Sequence, residues 1–159
     1  MLMIAFSTSP VWAAIDDAIE RHCTSLGLVP ALVRGVIETE SRSNPLAIGV
    51  QYKGVHRGYF PQDRAYAQGL LGMVLKFTDN VGIGLMQINW AAWGKTLPLS
   101  PHDLLEPETN LRVGCQILRD ELIRYGVETG IGAYHSPTPW RREGYARTVQ
   151  QAIRKEMGQ

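Results

Sequence analysis

Residues 34–45 read RGVIETESRSNP and set two glutamates, Glu38 and Glu40, in the last turn of one helix. Pro30 opens that helix, which runs to about Ser41. Asn44-Pro45 ends it, because the residue before a proline is pushed out of the helical region. At about 100° per residue, Val33, Val36, Ile37 and Glu40 share one stripe. Arg34 and Glu38 fall on the opposite flank with the spacing of a solvent-facing ion pair. Glu40 therefore extends an apolar stripe, and its carboxyl should project where the core ends. Desolvation and the partial negative charge of a helix C-terminus both disfavour an anion there. A carboxylic acid so placed is a candidate general acid. The other reading is a helix-end carboxylate that swings into solvent or meets a buried arginine.

Outward from this helix the pattern stays helical. Ile15, Ala18, Ile19, Cys23 and Leu26 give a helical period over 14–26, stopped by Gly27. Residues 46–60, LAIGVQYKGVHRGYF, mix β-branched and aromatic residues with glycine and read as a small β-hairpin or an irregular loop. Pro61 precedes a third helix through about Phe77, and TDNVGIG reads as a turn. LMQINWAAWG (85–94) reads as a short helix or helical turn, and Ser100-Pro101 opens another over HDLLE. Pro107–Tyr125 is the longest helix, with Leu111, Cys115, Leu118 and Leu122 on one face and Gly126 as its stop. A short helix follows over 127–136. Thr138-Pro139 caps and opens the last, with Tyr145, Val149, Ala152 and Ile153 inward. The expected fold is mainly α, one domain over 14–159 with one small β element.

Bulk properties narrow the function. The chain has 159 residues, 45% apolar and 19% charged, with a formal net charge of +1. That length supports a real core and argues against disorder. The near-zero charge disfavours nucleic acid as a partner and any substrate held by bulk charge. No apolar run reaches the roughly 18–20 residues of a membrane span. The four histidines and two cysteines show no metal-ligand spacing, so neither metal nor cofactor is implied. Gly82-x-Gly84 is half a phosphate-loop pattern and lacks the rest. Cys23 and Cys115 lie on separate helices and are either one disulfide or two buried free thiols. Arg141, Arg142, Arg147, Arg154 and Lys155 make the last helix basic, the usual pattern of a solvated face.

Gln87 and Asn89 are neutral amides among Leu85, Met86 and Ile88. Amides bind hydroxyl and acetamido groups without charge; for Asn89 a turn stabilised by amide–backbone bonds is the preferred reading. Trp90 and Trp93 are stacking platforms for a ligand or, by their helical spacing, core residues. A second carboxylate to pair with Glu40 is not evident. Asp63 and Asp79 flank the third helix, and Asp103, Glu106 and Glu108 lie near helix starts, where carboxylates serve as caps.

Three segments in order, ETESRSNPLAIG (38–49), GIGLMQIN (82–89) and GAYHSPTP (132–139) followed by YARTV (145–149), carry a resemblance. They are similar to the motifs of the lytic transglycosylase family with the lysozyme-like fold, especially its small members that accompany secretion, conjugation and pilus machines. The resemblance spans most of 15–150. It implies a lysozyme-like α domain and peptidoglycan glycan strands as substrate. Glu40 matches the family's single catalytic acid/base. Ser41 matches a residue that helps hold substrate or the catalytic carboxylate. Gly84, Leu85, Met86 and Gln87 match the segment lining the sugar cleft. Tyr134 matches a tyrosine close to the catalytic glutamate, and Tyr145 a second tyrosine near the site. Two departures stand out. His135, Ser136 and Pro137 replace the usual Asn and glycine-containing turn, and Glu108 stands where related chains often carry Cys before Thr109-Asn110.

The resemblance implies a reaction that one carboxyl group can run, in which the substrate's N-acetyl group attacks the anomeric carbon and a 1,6-anhydro ring closes. The alternatives are a lysozyme-type hydrolase and a non-catalytic peptidoglycan-binding assembly protein. An exported, periplasmic or wall-associated location follows. It favours reading residues 1–13 as the remnant of an export signal, with apolar Leu2–Phe6 before a small-residue Val11-Trp12-Ala13 site. The plainer reading has Ser9 capping and Pro10 opening the first helix.

Overall fold

The computed structural model describes residues 10–158. Seven helices carry the described chain: α1 (Pro10–Leu26), α2 (Pro30–Ser41), α3 (Arg64–Val74), α4 (Trp90–Trp93), α5 (Pro107–Tyr125), α6 (Val127–His135) and α7 (Pro139–Glu156). Four short strands complete it: β1 (Ile48–Tyr52), β2 (Val55–Tyr59), β3 (Val81–Ile83) and β4 (Ile88–Asn89). The fold is mainly α, as expected. Pro10 starts α1, so residues 10–13 are helical; the Ser9 cap lies outside the described residues.

α5 is the spine, apolar on two faces. Leu111, Cys115 and Leu118 pack with α1, α2, α6 and α7 in one core, around Ile19, Val33, Val36, Ile37, Ile131 and Val149. Val113 and Ile117 point the other way, into a second core with α3 and the sheet, around Leu71, Ile48, Ile83 and Ile88. The stripe read from 33–40 is the α2 contribution to the first core; Val33 and Val36 are fully buried.

The hairpin over 48–59 is real. β1 and β2 pair antiparallel through a two-residue turn, Lys53-Gly54, with both residues at positive φ (48° and 79°). That is the turn geometry whose twist suits a hairpin. The sheet is larger than expected. TDNVGIG is not only a turn: Val81–Ile83 forms β3, pairing Gly49 with Gly82, and β4 pairs Gly82 with Asn89, for an order β2-β1-β3-β4. Three- and two-residue strands are too short to show a period, and their Gly and Asn content mimics a loop. Residues 85–94 are accordingly a turn, β4 and then α4 rather than one short helix. The third helix is also shorter than expected, because Asp63 caps it by accepting from the Tyr66 N–H at 2.8 Å. The expected helix over HDLLE is a 3-10 turn, Pro101–Leu105.

The Arg34–Glu38 pair does not form. Arg34 turns toward α1 and α7, where Asp16 (3.2 Å), Glu20 (2.9 Å) and Glu156 (3.6 Å) converge on it. Glu38 instead accepts from the Ser43 hydroxyl at 2.9 Å. Three carboxylates outbid one whose pairing on an exposed helix face is worth only about 0.2–0.5 kcal/mol.

Cys23 and Cys115 are free and buried in the first core. Burial pushes Cys23 up to about 11 and Cys115 up to about 12. Both thiols should resist iodoacetamide at pH 8 in the native protein and react fully in denaturant, read by mass spectrometry. Rapid native labelling would contradict their packing. Exposed thiols ionise nearer 9.0, so this contribution to stability is complete below that pH and is lost as pH rises toward about 11.

Candidate active site

A cleft of about 460 Å³ opens where the sheet meets the ends of α2, α6 and α7. Its position follows from chain geometry. Ser41 ends α2, and Arg42 and Ser43 take left-handed backbone (φ 51° and 61°), turning the chain away directly beyond Glu40. Asn44 secures the exit, accepting from the Leu46 N–H at 2.8 Å and donating to the Pro61 carbonyl at 3.0 Å. Glu40 is thus left at the end of the buried stripe, its side chain 12% exposed at the cleft wall. It neither swings free nor meets an arginine. Its side-chain partner among the described residues is His135, whose Nδ1 lies 3.4 Å from Oε1.

The sheet supplies the opposing wall. Successive strand residues face opposite sides. Ile48, Val81 and Ile83 point into the second core, while Gly49, Gln51, Gly82 and Asn89 line the cleft. Gln51, Asn80 and Asn89 are joined side chain to side chain: Asn80 Nδ2 donates to Gln51 Oε1 at 3.2 Å, and Asn89 Nδ2 to Asn80 Oδ1 at 2.7 Å. Asn89 Oδ1 also accepts from the Ala92 N–H at 3.0 Å, capping α4, which is the amide–backbone role expected of it. Trp90 and Trp93 both pack on the second core, and Trp93 also reaches the cleft.

Gln87 crosses this wall in left-handed backbone (φ 46°), which is costly for a residue with a side chain. Its amide nitrogen offsets that by donating to the Ala47 and Gly84 carbonyls, both at 3.0 Å. Its carbonyl oxygen lies over the paired Gly49 and Gly82, where a Cβ would come within 2.6 and 2.8 Å of it. Gly49→Val should therefore dislodge Gln87 and lower activity at least about tenfold, since misplacing site groups by an ångström costs that much or more. The flexible amide can move aside, so the melting temperature should fall little. Unchanged turnover on glycan strands would show that Gln87's position is immaterial.

The remaining sequence-matched residues divide. Tyr134 lines the cleft and donates its hydroxyl to the Met86 carbonyl at 2.6 Å. Tyr145 is buried beneath His135, the rings stacked at 4.4 Å and 8°; its hydroxyl makes no well-formed hydrogen bond among the described residues but faces the Glu40 carboxyl closely enough for that carboxyl, after burial, to raise its pKa. Burial first, and then the Glu40 charge, hold both phenols well above their usual range, so both stay protonated. Leu85 and Met86, matched to the cleft-lining segment, are fully buried in the first core and do not line the cleft. Gly84 (φ 76°) is where a Cβ would strike the Asn110 side chain and the Leu104 carbonyl. Ser41 is buried and donates to the Ile37 carbonyl at 2.9 Å; it does not line the cleft. Its hydroxyl, on the last residue of α2, closes back on its own helix.

Sequence reasoning passed over two residues. Asn110 is fully buried and clamps the Gly84–Gln87 turn. Its Oδ1 accepts from the Met86 N–H, and its Nδ2 donates to the Ile83 and Leu104 carbonyls, all at 2.8 Å. An asparagine on the apolar side of a long helix was the available signal. His135 was noted only as a departure from a pattern; its contact with Glu40 spans 95 positions and leaves no local trace.

The other carboxylates are occupied or remote. Asp63 caps α3, Asp103 accepts from the Ser100 N–H at 2.7 Å, Glu106 meets Arg64 at 2.9 Å, and Glu108 meets Arg21 at 2.8 Å and His22 at 2.9 Å. Among the described residues that line the cleft, Glu40 is the one carboxylate. One acid facing a wall of neutral amides suits cleavage within an uncharged, hydroxyl-rich polymer, the class of glycan-cleaving enzymes. The sequence model of the family described as Transglycosylase SLT domain matches residues 17–155. The chain belongs to this family, which comprises peptidoglycan lytic transglycosylases. No curated protein and no solved structure matches it. No helix among the described residues is long and apolar enough to cross a membrane.

Proposed function

We propose that the protein cuts the β-1,4 bond between N-acetylmuramic acid and N-acetylglucosamine, with Glu40 as its only acid/base. The observation that carries this is the single carboxylate in the cleft. A glycosidase that works with two carboxylates holds them on either side of the scissile bond. Here Glu40 protonates the leaving oxygen while the substrate's own N-acetyl oxygen attacks the anomeric carbon. The resulting carboxylate then accepts the proton of the muramic 6-hydroxyl, whose oxygen closes the 1,6-anhydro ring and expels the acetamido oxygen. One proton leaves on the departing sugar oxygen and another is regained from the 6-hydroxyl, so Glu40 ends as it began and no water is consumed. Tyr134, protonated and fixed on the Met86 carbonyl, keeps the α6 side of the cleft in place. Gln51, Asn80, Gln87 and Asn89 supply neutral contacts for sugar hydroxyls and acetamido groups.

The substrate sets the compartment. The protein acts at the cell wall outside the cytoplasm, reached by export; residues 10–13, read above as the end of a signal remnant, form the first turn of α1, with Trp12 on the first core. The likeness of its motifs to those of small secretion-, conjugation- and pilus-associated enzymes supports a role in opening the wall locally for such a machine. Mass spectrometry of products from purified sacculi is the test. Muropeptides with 1,6-anhydro ends, each lighter by one water, are expected. Hydrated reducing ends would reassign the cleft to hydrolysis, and no release at all would leave a wall-binding assembly protein.

A further inference from the structure

The carboxyl that must give up and regain a proton meets a ring nitrogen from another helix, His135, with the Tyr145 hydroxyl of α7 also turned toward it. His135 ends α6 and lines the cleft with its side chain 46% exposed. Its ring lies flat on Tyr145 of α7, 4.4 Å between centroids and 8° from parallel. Tyr145 is itself held in the first core. The ring plane is therefore set from below, and Nδ1 is delivered to Glu40 Oε1 at 3.4 Å. Tyr134 on the same helix has spent its hydroxyl on Met86. Gln87 has spent its amide nitrogen on two carbonyls. Arg141 and His56 also line the cleft and make no ion pair with Glu40.

We infer that His135 is a positioning residue for Glu40, holding Oε1 so that the other carboxyl oxygen is presented to the glycosidic bond. This rests on the reading of Glu40 as the acid/base. A ring nitrogen suits the task, because it donates to a carboxylate and accepts from a carboxylic acid according to its tautomer. The contact thus survives both proton states that Glu40 passes through. An asparagine places its amide the same number of bonds from the backbone as Nδ1 and also offers a donor and an acceptor. A phenylalanine keeps the flat stack on Tyr145 and offers neither.

These two substitutions separate the roles. On soluble glycan strands stripped of peptide, His135→Phe should lower kcat at least about tenfold with KM within about twofold. His135→Asn should stay within about threefold of the parent kcat. The reverse order would overturn the inference, because it would make the stack on Tyr145, and not the hydrogen bond, the useful contact. A rise in KM with kcat unchanged would overturn it too, by making His135 a sugar contact. A readout free of activity covers variants that fail to fold. In the Glu40→Gln protein the ¹⁵N resonance of His135 Nδ1 should move, while that of His102, which meets the Gln68 carbonyl, should not. An unmoved Nδ1 signal would refute the contact. If the parent releases no product at all from sacculi, the acid/base reading falls, and the Nδ1 signal still decides whether His135 holds Glu40.

Discussion

Glu40→Gln is expected to slow glycan cleavage about 10³- to 10⁴-fold, the upper end of what one general acid–base group contributes. The upper end applies because the same group acts twice, first as acid and then as base. Glutamine preserves shape and can still meet His135, so what is removed is the transferable proton. Neither tyrosine beside it can supply that proton. Tyr134 and Tyr145 are held well above the usual phenol range, which makes them poor acids here. No second carboxylate lines the cleft among the described residues. Stability should match or exceed the parent, since a largely buried carboxyl is replaced by a neutral amide. The measurement is release of anhydro-muropeptides together with the melting temperature. A folded variant that keeps activity within tenfold of the parent would mean another group protonates the leaving oxygen.

The largest effect on stability should come from Asn110→Ala, at about 3–5 kcal/mol. The side chain is fully buried and makes three hydrogen bonds, each to a different backbone segment: β3, the Gly84–Gln87 turn and the 3-10 turn before α5. Alanine leaves one N–H and two carbonyls without partners. Each such orphan costs about 1–3 kcal/mol, and partial relaxation keeps the total below the sum. For a chain of this size the melting temperature should fall roughly 10–15 °C. Activity should drop below what stability alone explains, because the clamp sets the turn that carries Gln87. Asp is no rescue: a carboxylate accepts from Met86 but cannot donate to Ile83 and Leu104. A loss under about 1 kcal/mol in urea unfolding would show that water or the turn itself satisfies these groups.

Much of this was legible before any coordinates. The period of 33–40 placed Glu40 at the end of a buried stripe, and the stripe is buried. Proline starts placed the beginnings of α2, α5 and α7 closely, and proline and glycine stops ended α2 and α5, because such signals act within a turn of the residue that carries them. The β-branched and aromatic residues punctuated by glycine over 46–60 pointed to a small hairpin or an irregular loop, and it is the hairpin. Other features were not legible, for physical reasons. β3 and β4 are too short to show alternation and exist because β1 pairs with them. Arg34 has a neighbour of opposite sign one turn away, yet chooses three carboxylates from two other helices. Ser41 sits beside Glu40 in sequence, but its hydroxyl bonds to its own helix.

Taken alone, the sequence determined the mainly α character, the helix that carries the acid, and the family to which the ordered motifs belong. All of these depend on residues a turn or two apart or on their order along the chain. Only the tertiary structure decided that the cleft holds one carboxylate, that His135 meets it, and that Asn110 clamps the turn opposite. These are contacts between segments tens of residues apart. Their energies depend on distance and burial, which exist only once two cores have closed on α5.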